Sequence, residues 1–392
     1  MTTNGEGKQA FTLWCRDELF TPELVQAASM LQKALDTHLL HLYAELGLPE
    51  QLGESLTPAA LSTRLGFCDT AHLTLEAMLD RLASRFEFLS RVDGGEAQPS
   101  YIQVGEIPDP PMALEEIEAR MLELGDDFSA PLEFLQFGAD VFEQALGEDP
   151  DLLDRILSGR DSTHEELWFR ATNVDPLQNV HGIMGARAID LLFERGRILE
   201  IGGGTGNGVR NLLQHLDGKD ELDRVEHYHF TDISQRFILA TRHEIRRAYP
   251  DVSTDWRFAD LNRPLREQNI EPRSFDLIYA VNAAHVAKDL VAFLESCKET
   301  LVPGGRVVFA ERVRLTPRDM APRELTLNLS IYHRTAAIRN EDYRPVHCYL
   351  TPEGWLRAFE LSGFTHGEVW PDLDALAGSF PDQYAAVVTA VA

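Results

Sequence analysis

The stretch RILEIGGGTGNG, from Arg197 to Gly208, is a short apolar strand that runs into five glycines, with a carboxylate, Glu200, just ahead of them. Glycines after a first strand let a ligand approach the backbone closely. In an open parallel sheet, ligands lie beyond the carboxyl ends of the strands, at the switch point. The residues that follow alternate strand and helix. RILEI, VEHYHFTDI, DWRFADL, FDLIYAVNA and GRVVFAERV read as strands, separated by helices such as NGVRNLLQHL and DLVAFLESCKETL. Short connections between alternating elements predict an α/β, Rossmann-like, doubly wound sheet. Two further β-prone runs, FTHGEVW and QYAAVVTAVA, close the chain.

The glycine spacing selects the guest. A dinucleotide site wants GxGxxG, with a helix N-terminus presented to a pyrophosphate. Counting from Gly202, the third glycine is replaced by Asn207, and the form is E-x-G-x-G-x-G through Glu200, Gly202, Gly204 and Gly206. A carboxylate at Glu200 repels a phosphate and suits a cation. S-adenosylmethionine carries a sulfonium and an ammonium and no phosphate. Asp232, with Ile233 beside it, ends the second strand, where a carboxylate accepts ribose hydroxyls. Asp260, followed by Leu261, ends the third, where it accepts from the adenine amino group. Taken singly, each Asp is as simply a helix cap or a loop charge. Three acids at successive strand ends, beside this glycine pattern, point to S-adenosylmethionine, and Asn207 and Glu200 speak against a dehydrogenase.

On these motifs the chain resembles the class I S-adenosylmethionine-dependent methyltransferases. More narrowly it looks like the methyltransferase domains of modular polyketide synthases, from about Pro131 to the C-terminus. FLQFGADVFEQALGEDPDLLDRIL and FDLIYAVNAAHVAKDL carry the narrower likeness; ILEIGGGTG, HYHFTDIS and LVPGGRVVFAER accompany them. The resemblance implies a seven-stranded sheet whose antiparallel last strand is QYAAVVTAVA. It also implies S-adenosylhomocysteine as the spent cofactor and an acceptor on an acyl carrier protein.

Methyl transfer is an in-line displacement, so the protein must position the acceptor and generate a nucleophile. Histidine suits the base. His285 lies just past the fourth strand, and Glu311 ends the next one. Adjacent strand ends bring them within reach, and a carboxylate on one imidazole nitrogen fixes the tautomer. The plainer alternative is that His285 caps a helix and Glu311 pairs with Arg312 or Arg314. In the resembled C-methyltransferase domains a His–Glu pair at these motif positions is the catalytic dyad. Asn282-Ala283-Ala284 departs from the bulkier pair usual in that family, and Asn207-Gly208 from its Gly and Thr. Asn282 is assigned to the cofactor side. The implied reaction is C-methylation of a β-ketoacyl chain. O-methylation of a β-hydroxyacyl chain or a small hydroxylated metabolite is the alternative, and a non-catalytic scaffold is a third.

The insertion LSIYHRTAAIRNEDYRPVHCYL offers Tyr332, His333, Tyr343, His347 and Tyr349 as a lid that excludes water. His333 and His347 without an aligned carboxylate are a weak metal pair, and no metal is expected. His181 either faces the methionine end of the cofactor or packs in the core.

The organisation expected is a helical N-terminal region over 1–110, a helical cap over 111–195 and the core over 196–392, with the lid at about 315–350. LTPAALSTRLG, capped by Thr57 ahead of Pro58, then HLTLEAMLDRLASRFEFLSR and a hairpin around Gly-Gly give the winged-helix order. The formal charge of −27, from 36 basic and 63 acidic residues, repels nucleic acid and anionic lipid. Dimerisation or substrate capping therefore suits this module better than DNA binding, and a homodimer through it is one expectation. With 44% apolar and 25% charged residues the chain reads as an ordinary globular protein. It lacks an apolar run near the roughly 20 residues of a membrane helix and an N-terminal signal. Four scattered cysteines fit free thiols in the cytoplasm. A start at Met1 suits either a free-standing protein or a piece cut from a larger synthase.

Overall fold

The computed structural model describes residues 4–93, 98–161, 164–316, 318–336, 341–344, 349–380, 382 and 385–392. The N-terminal helices open on side-chain caps. Thr21 accepts from Leu24 N ahead of Pro22, and Thr57 from Ala60 N ahead of Pro58, so proline occupies the position where its missing N–H costs nothing. Helices Pro58–Leu65 and Ala71–Arg85 lead to an antiparallel hairpin of β1 (Leu89–Val92) and β2 (Ser100–Gln103). The helix–helix–hairpin order stands. The second helix is covered, however. Thr74 Oγ1 donates to Asn328 O (2.7 Å), and Arg81, buried, reaches Asp36 (2.7 Å) and Met320 O (3.2 Å).

The main sheet contains β3 (Gly196–Glu200), β4 (Val225–Asp232), β5 (Thr254–Phe258), β6 (Phe275–Val281), β7 (Leu301–Arg312), β8 (Thr365–Trp370) and β9 (Ala385–Val391). Their order is β5-β4-β3-β6-β7-β9-β8. Only β9 runs against the rest, antiparallel to β7 and β8, as the resemblance implies. Ile198 and Leu199 are fully buried because helices cover both faces. The order reverses between β3 and β6, which puts the switch point between the glycine loop and the residues after Val281.

The expected division at 110 and 195 differs from the packing. One apolar core spans Ala27 to Ile156 and takes in Met320, Leu325 and Leu329 from the insertion. The helical region, the cap and the lid therefore share a core. Helix Asn4–Trp14 belongs instead to the sheet, where Phe11 packs on Trp370 with ring centroids 5.6 Å apart. Helix Pro176–Leu192 also lies on the sheet, so the cap yields its last helix to the core domain. The physical reason is burial: Phe11 of the first helix and Val180, Met184 and Ile189 of the second complete the hydrophobic layer over β6, β7 and β9. Among the described residues no helix is long and apolar enough to cross a membrane.

Candidate active site

The glycine loop is built by close approach. A Cβ on Gly203 would fall 2.2 Å from the Phe230 ring, and one on Gly202, at φ +62°, 2.7 Å from Ala283 Cβ. Larger residues would push the loop out of the switch point. Asp232 ties it down from β4. Its Oδ2 accepts from Gly204 N (2.8 Å) and its Oδ1 from Ser234 N (2.6 Å). Burial pushes its carboxyl up to about 6, against the pull of these backbone N–H groups. Each oxygen retains a lone pair for a further donor.

Glu200 differs from expectation. It is fully buried beneath the loop, where Oε2 accepts from Tyr228 Oη (2.8 Å). Its other oxygen lies against the first turn of helix Asn207–Asp217, so close that a Cβ on Gly208 would stand 2.2 Å away. It does not line the cavity described below, and burial pushes its carboxyl up to about 8. A carboxyl held largely neutral is a support for the loop rather than a partner for a cation. Between the usual carboxylate range and about 8, the folded chain holds a proton that the unfolded chain has released. Stability from this group therefore falls as pH rises through that window, by up to about 1.4 kcal/mol per unit. Urea unfolding of Glu200→Gln against the parent is expected to shift in the variant's favour from about pH 5 to about pH 8. A difference that stays constant with pH would contradict this burial.

Above the switch point lies a cavity of about 310 Å³. One half is bounded by Gly202–Thr205, Asp232, Ile233, Asp260 and Leu261. Its apolar walls, its glycine cradle and the spare acceptors of Asp232 fit a nucleoside. The other half is bounded by Trp168 of the cap, Gln178 of helix Pro176–Leu192, and Arg323, Leu327, His333 and Tyr349 of the insertion. His285 lines the same cavity, beside Tyr349.

His285 and Glu311 meet as expected. Nδ1 of His285 lies 2.6 Å from Glu311 Oε2, and both side chains are buried. A carboxylate only accepts, so Nδ1 carries the hydrogen and Nε2 is the ring nitrogen left for a proton. Oε1 of Glu311 accepts from Ala284 N (2.8 Å) and Ala283 N (3.2 Å), which fixes the carboxylate to the loop that bears the histidine. Asn282 starts that loop at φ +46°, a left-handed conformation asparagine tolerates. Its Oδ1 accepts from Arg312 N (2.7 Å), locking the end of β6 to the end of β7. From the insertion, the Arg344 guanidinium donates to the carbonyls of His285 (3.2 Å), Ala287 (2.7 Å) and Lys288 (3.0 Å). The Tyr349 ring lies 4.5 Å from the imidazole.

Residues 199–307 match the family model of a methyltransferase domain. The protein is a class I S-adenosylmethionine-dependent methyltransferase. The methyltransferase is 31% identical over 228 residues to the highly reducing polyketide synthase ALT1 of Alternaria alternata, covering 56% of this chain and 8% of that one. It is 29% identical over 176 residues to a highly reducing polyketide synthase of Pyrenophora dematioidea, covering 45% of this chain and 6% of that one. The chain thus spans less than a tenth of the length of these curated relatives. Its fold is that of the CurJ carbon methyltransferase, with TM-score 0.76 at 21% identity over 99% of this chain and 96% of the other.

Several candidate residues of the methyltransferase stand elsewhere than expected. His181 does not line the main cavity. It lines a smaller one of about 30 Å³ with Gln178, Arg312, Arg323 and Asp382, its Nδ1 is 3.0 Å from Gln178 O, and burial lowers it to about 3. It is a neutral packing histidine behind the dyad. Gly206, at φ +90°, opens helix Asn207–Asp217 beside the Thr241 side chain and is absent from the cavity wall. Tyr343 packs into the sheet core with Leu350 and Trp355 and likewise does not reach the cavity. His333 does line it, and burial, then the neighbouring His285, lowers its imidazole to about 3. Tyr332 lies in helix Ile331–Ala336, but its side chain, like all of His347, is outside the described residues. Trp168, Gln178 and Arg323 were not among the expected site residues. They enter the wall from segments distant in sequence, and no local motif marks them. Among the described residues, His227, His229 and Asp255 bring possible ligand atoms within 4.8 Å of one another on β4 and β5. The Asp255 carboxylate is already held by Arg257 at 2.7 Å.

Proposed function

We propose that this methyltransferase C-methylates the α-carbon of a β-ketoacyl thioester carried by an acyl carrier protein, with His285 as the base that forms the enolate. The observation that carries this is the buried 2.6 Å contact of His285 Nδ1 with Glu311 Oε2, with His285 in the wall of the cavity. The α-hydrogen of a β-ketothioester lies between two carbonyls and is acidic enough for imidazole to remove. Nε2 takes the proton, Glu311 steadies the imidazolium through Nδ1–H, and the electron pair left on carbon attacks the methyl group. The cofactor supplies that methyl on a sulfonium, and sulfur leaves with the bonding electrons. Trp168, Leu327 and Tyr349 roof the acceptor half and keep water from the enolate. The relatives' names, polyketide synthases and a carbon methyltransferase, support this substrate class. Cys15, Cys68 and Cys297 are free thiols, which suits the cytoplasm.

On the cofactor side, Asp232 accepts the ribose hydroxyls and Asp260 the adenine amine. Ile233 and Leu261 flank the base, and Gly202, Gly204 and Asn282 border the methionine end. Asp232→Ala is expected to weaken S-adenosylmethionine about 10- to 100-fold in calorimetry, since a hydrogen bond to a charged group is worth about 1.5–3 kcal/mol. Unchanged affinity would remove the ribose assignment.

Enolate formation is tested apart from transfer. With S-adenosylhomocysteine in D₂O, the protein should exchange the α-hydrogens of a β-ketoacyl thioester faster than the His285→Ala variant does. Equal rates would sink the enolate step.

A further inference from the structure

We infer that Arg323 receives the enolate: its guanidinium holds both oxygens of the 1,3-dicarbonyl acceptor and so selects β-ketoacyl over β-hydroxyacyl thioesters. This rests on the enolate step proposed above.

Removing the α-proton leaves one negative charge shared by two oxygens, the β-keto oxygen and the thioester oxygen. In the U-shaped conformer they are coplanar and face the same way, as in a carboxylate. The side chain that matches such a pair is a guanidinium, a planar fork that stays charged. Arg323 is 8% exposed and lines the acceptor half of the cavity with His285. It is one of two arginines in the cavity wall. The other, Arg160, is exposed and uses Nε on its neighbour Ser158 (2.8 Å).

Arg323 is also held in place from behind. Nη1 donates to Ala171 O (2.7 Å) and to Asp175 Oδ2 (3.3 Å). Its guanidinium carbon lies 4.8 Å from the centre of the Phe134 ring, which fixes the other side of the group. Both hydrogen bonds leave from Nη1, so the Nη2 and Nε N–H groups remain for a ligand. Among the described residues Asp175, fully buried, is the one carboxylate bonded to it, through Oδ2 alone, while its Oδ1 accepts from Leu177 N (2.8 Å). The carboxylate thus holds the Nη1 side and leaves the opposite edge of the fork as a donor set in advance, in a low-dielectric wall where it acts strongly on developing charge. A β-hydroxyacyl thioester has a tetrahedral carbon in place of the ketone. It presents one planar oxygen and one out of plane, and cannot fill the fork.

The test measures α-deuterium exchange of acetoacetyl-N-acetylcysteamine thioester by the full chain with S-adenosylhomocysteine, in the parent, Arg323→Gln and Arg323→Lys. Loss of a donor to an oxyanion costs about 10²- to 10³-fold. Arg323→Gln should lose exchange by that much and keep its affinity for S-adenosylhomocysteine. Arg323→Lys keeps a charge beside Asp175 but not the fork, and should lose about tenfold. If the Gln variant fails to bind S-adenosylhomocysteine, the Lys variant decides. Exchange at the parent rate in a variant that binds S-adenosylhomocysteine would overturn the role of Arg323 while leaving His285 as base. A parent that exchanges no faster than His285→Ala would overturn the enolate reading and this inference together.

Discussion

His285→Ala is expected to lower methyl transfer at least about 10³-fold while leaving S-adenosylmethionine affinity as it is. The loss is that of a positioned general base, which contributes about 10²–10⁴-fold. The separation of effects follows from the geometry. The imidazole is held by Glu311 and packed against Tyr349, whereas the nucleoside half is built from the glycine loop and the ends of β4 and β5. Glu311 loses one of its three hydrogen-bond donors in this variant and keeps Ala283 N and Ala284 N. The stability cost should therefore stay at about 1–3 kcal/mol. Single-turnover rates and calorimetry on the same preparation check both halves of the expectation. Turnover within a few-fold of the parent would remove His285 from the chemistry.

Glu311→Gln should cost about 10²–10⁴-fold in kcat with little change in fold. The amide oxygen still accepts from Ala283 N and Ala284 N. Its NH₂ then faces Nδ1 of His285, which must present a bare nitrogen to it. The proton moves to Nε2, the nitrogen the acceptor needs unprotonated. The defect is one of tautomer, not of packing, because the side chain keeps its size in a site with no exposure. Cofactor affinity and urea midpoint should match the parent, and the rate should not. A Gln variant with ordinary kcat would show that the carboxylate does not set the state of the imidazole.

The glycine loop, the strands and the pairing of His285 with Glu311 were legible because each is dictated locally. Strands buried on both faces read as apolar runs such as FDLIYAV. Neighbouring strands put their final residues at one edge. What escaped was side-chain direction and long-range packing. Its place at a strand end makes Glu200 read as a ligand. Yet it shares a face with Ile198, two residues earlier, and that alternation points it under the loop, toward Tyr228. His181 lies on a helix whose position over β7 and β9 no local pattern reveals. Arg323 and Trp168 meet across the cavity only because the insertion and the cap share one core through Met320, Leu325 and Leu329. The first helix likewise gives no local sign that Phe11 will pack on Trp370 near the other end of the chain.

Carbon methylation through an enolate is tested most directly by comparing two acceptors under one condition. The protein is given S-adenosylmethionine with a β-ketoacyl thioester and, separately, with the matching β-hydroxyacyl thioester, and any added CH₂ is located by fragmentation mass spectrometry. The expected result is a methyl on the α-carbon of the ketone and none on the hydroxy compound. A methyl on the hydroxyl oxygen, with the ketone untouched, would contradict it.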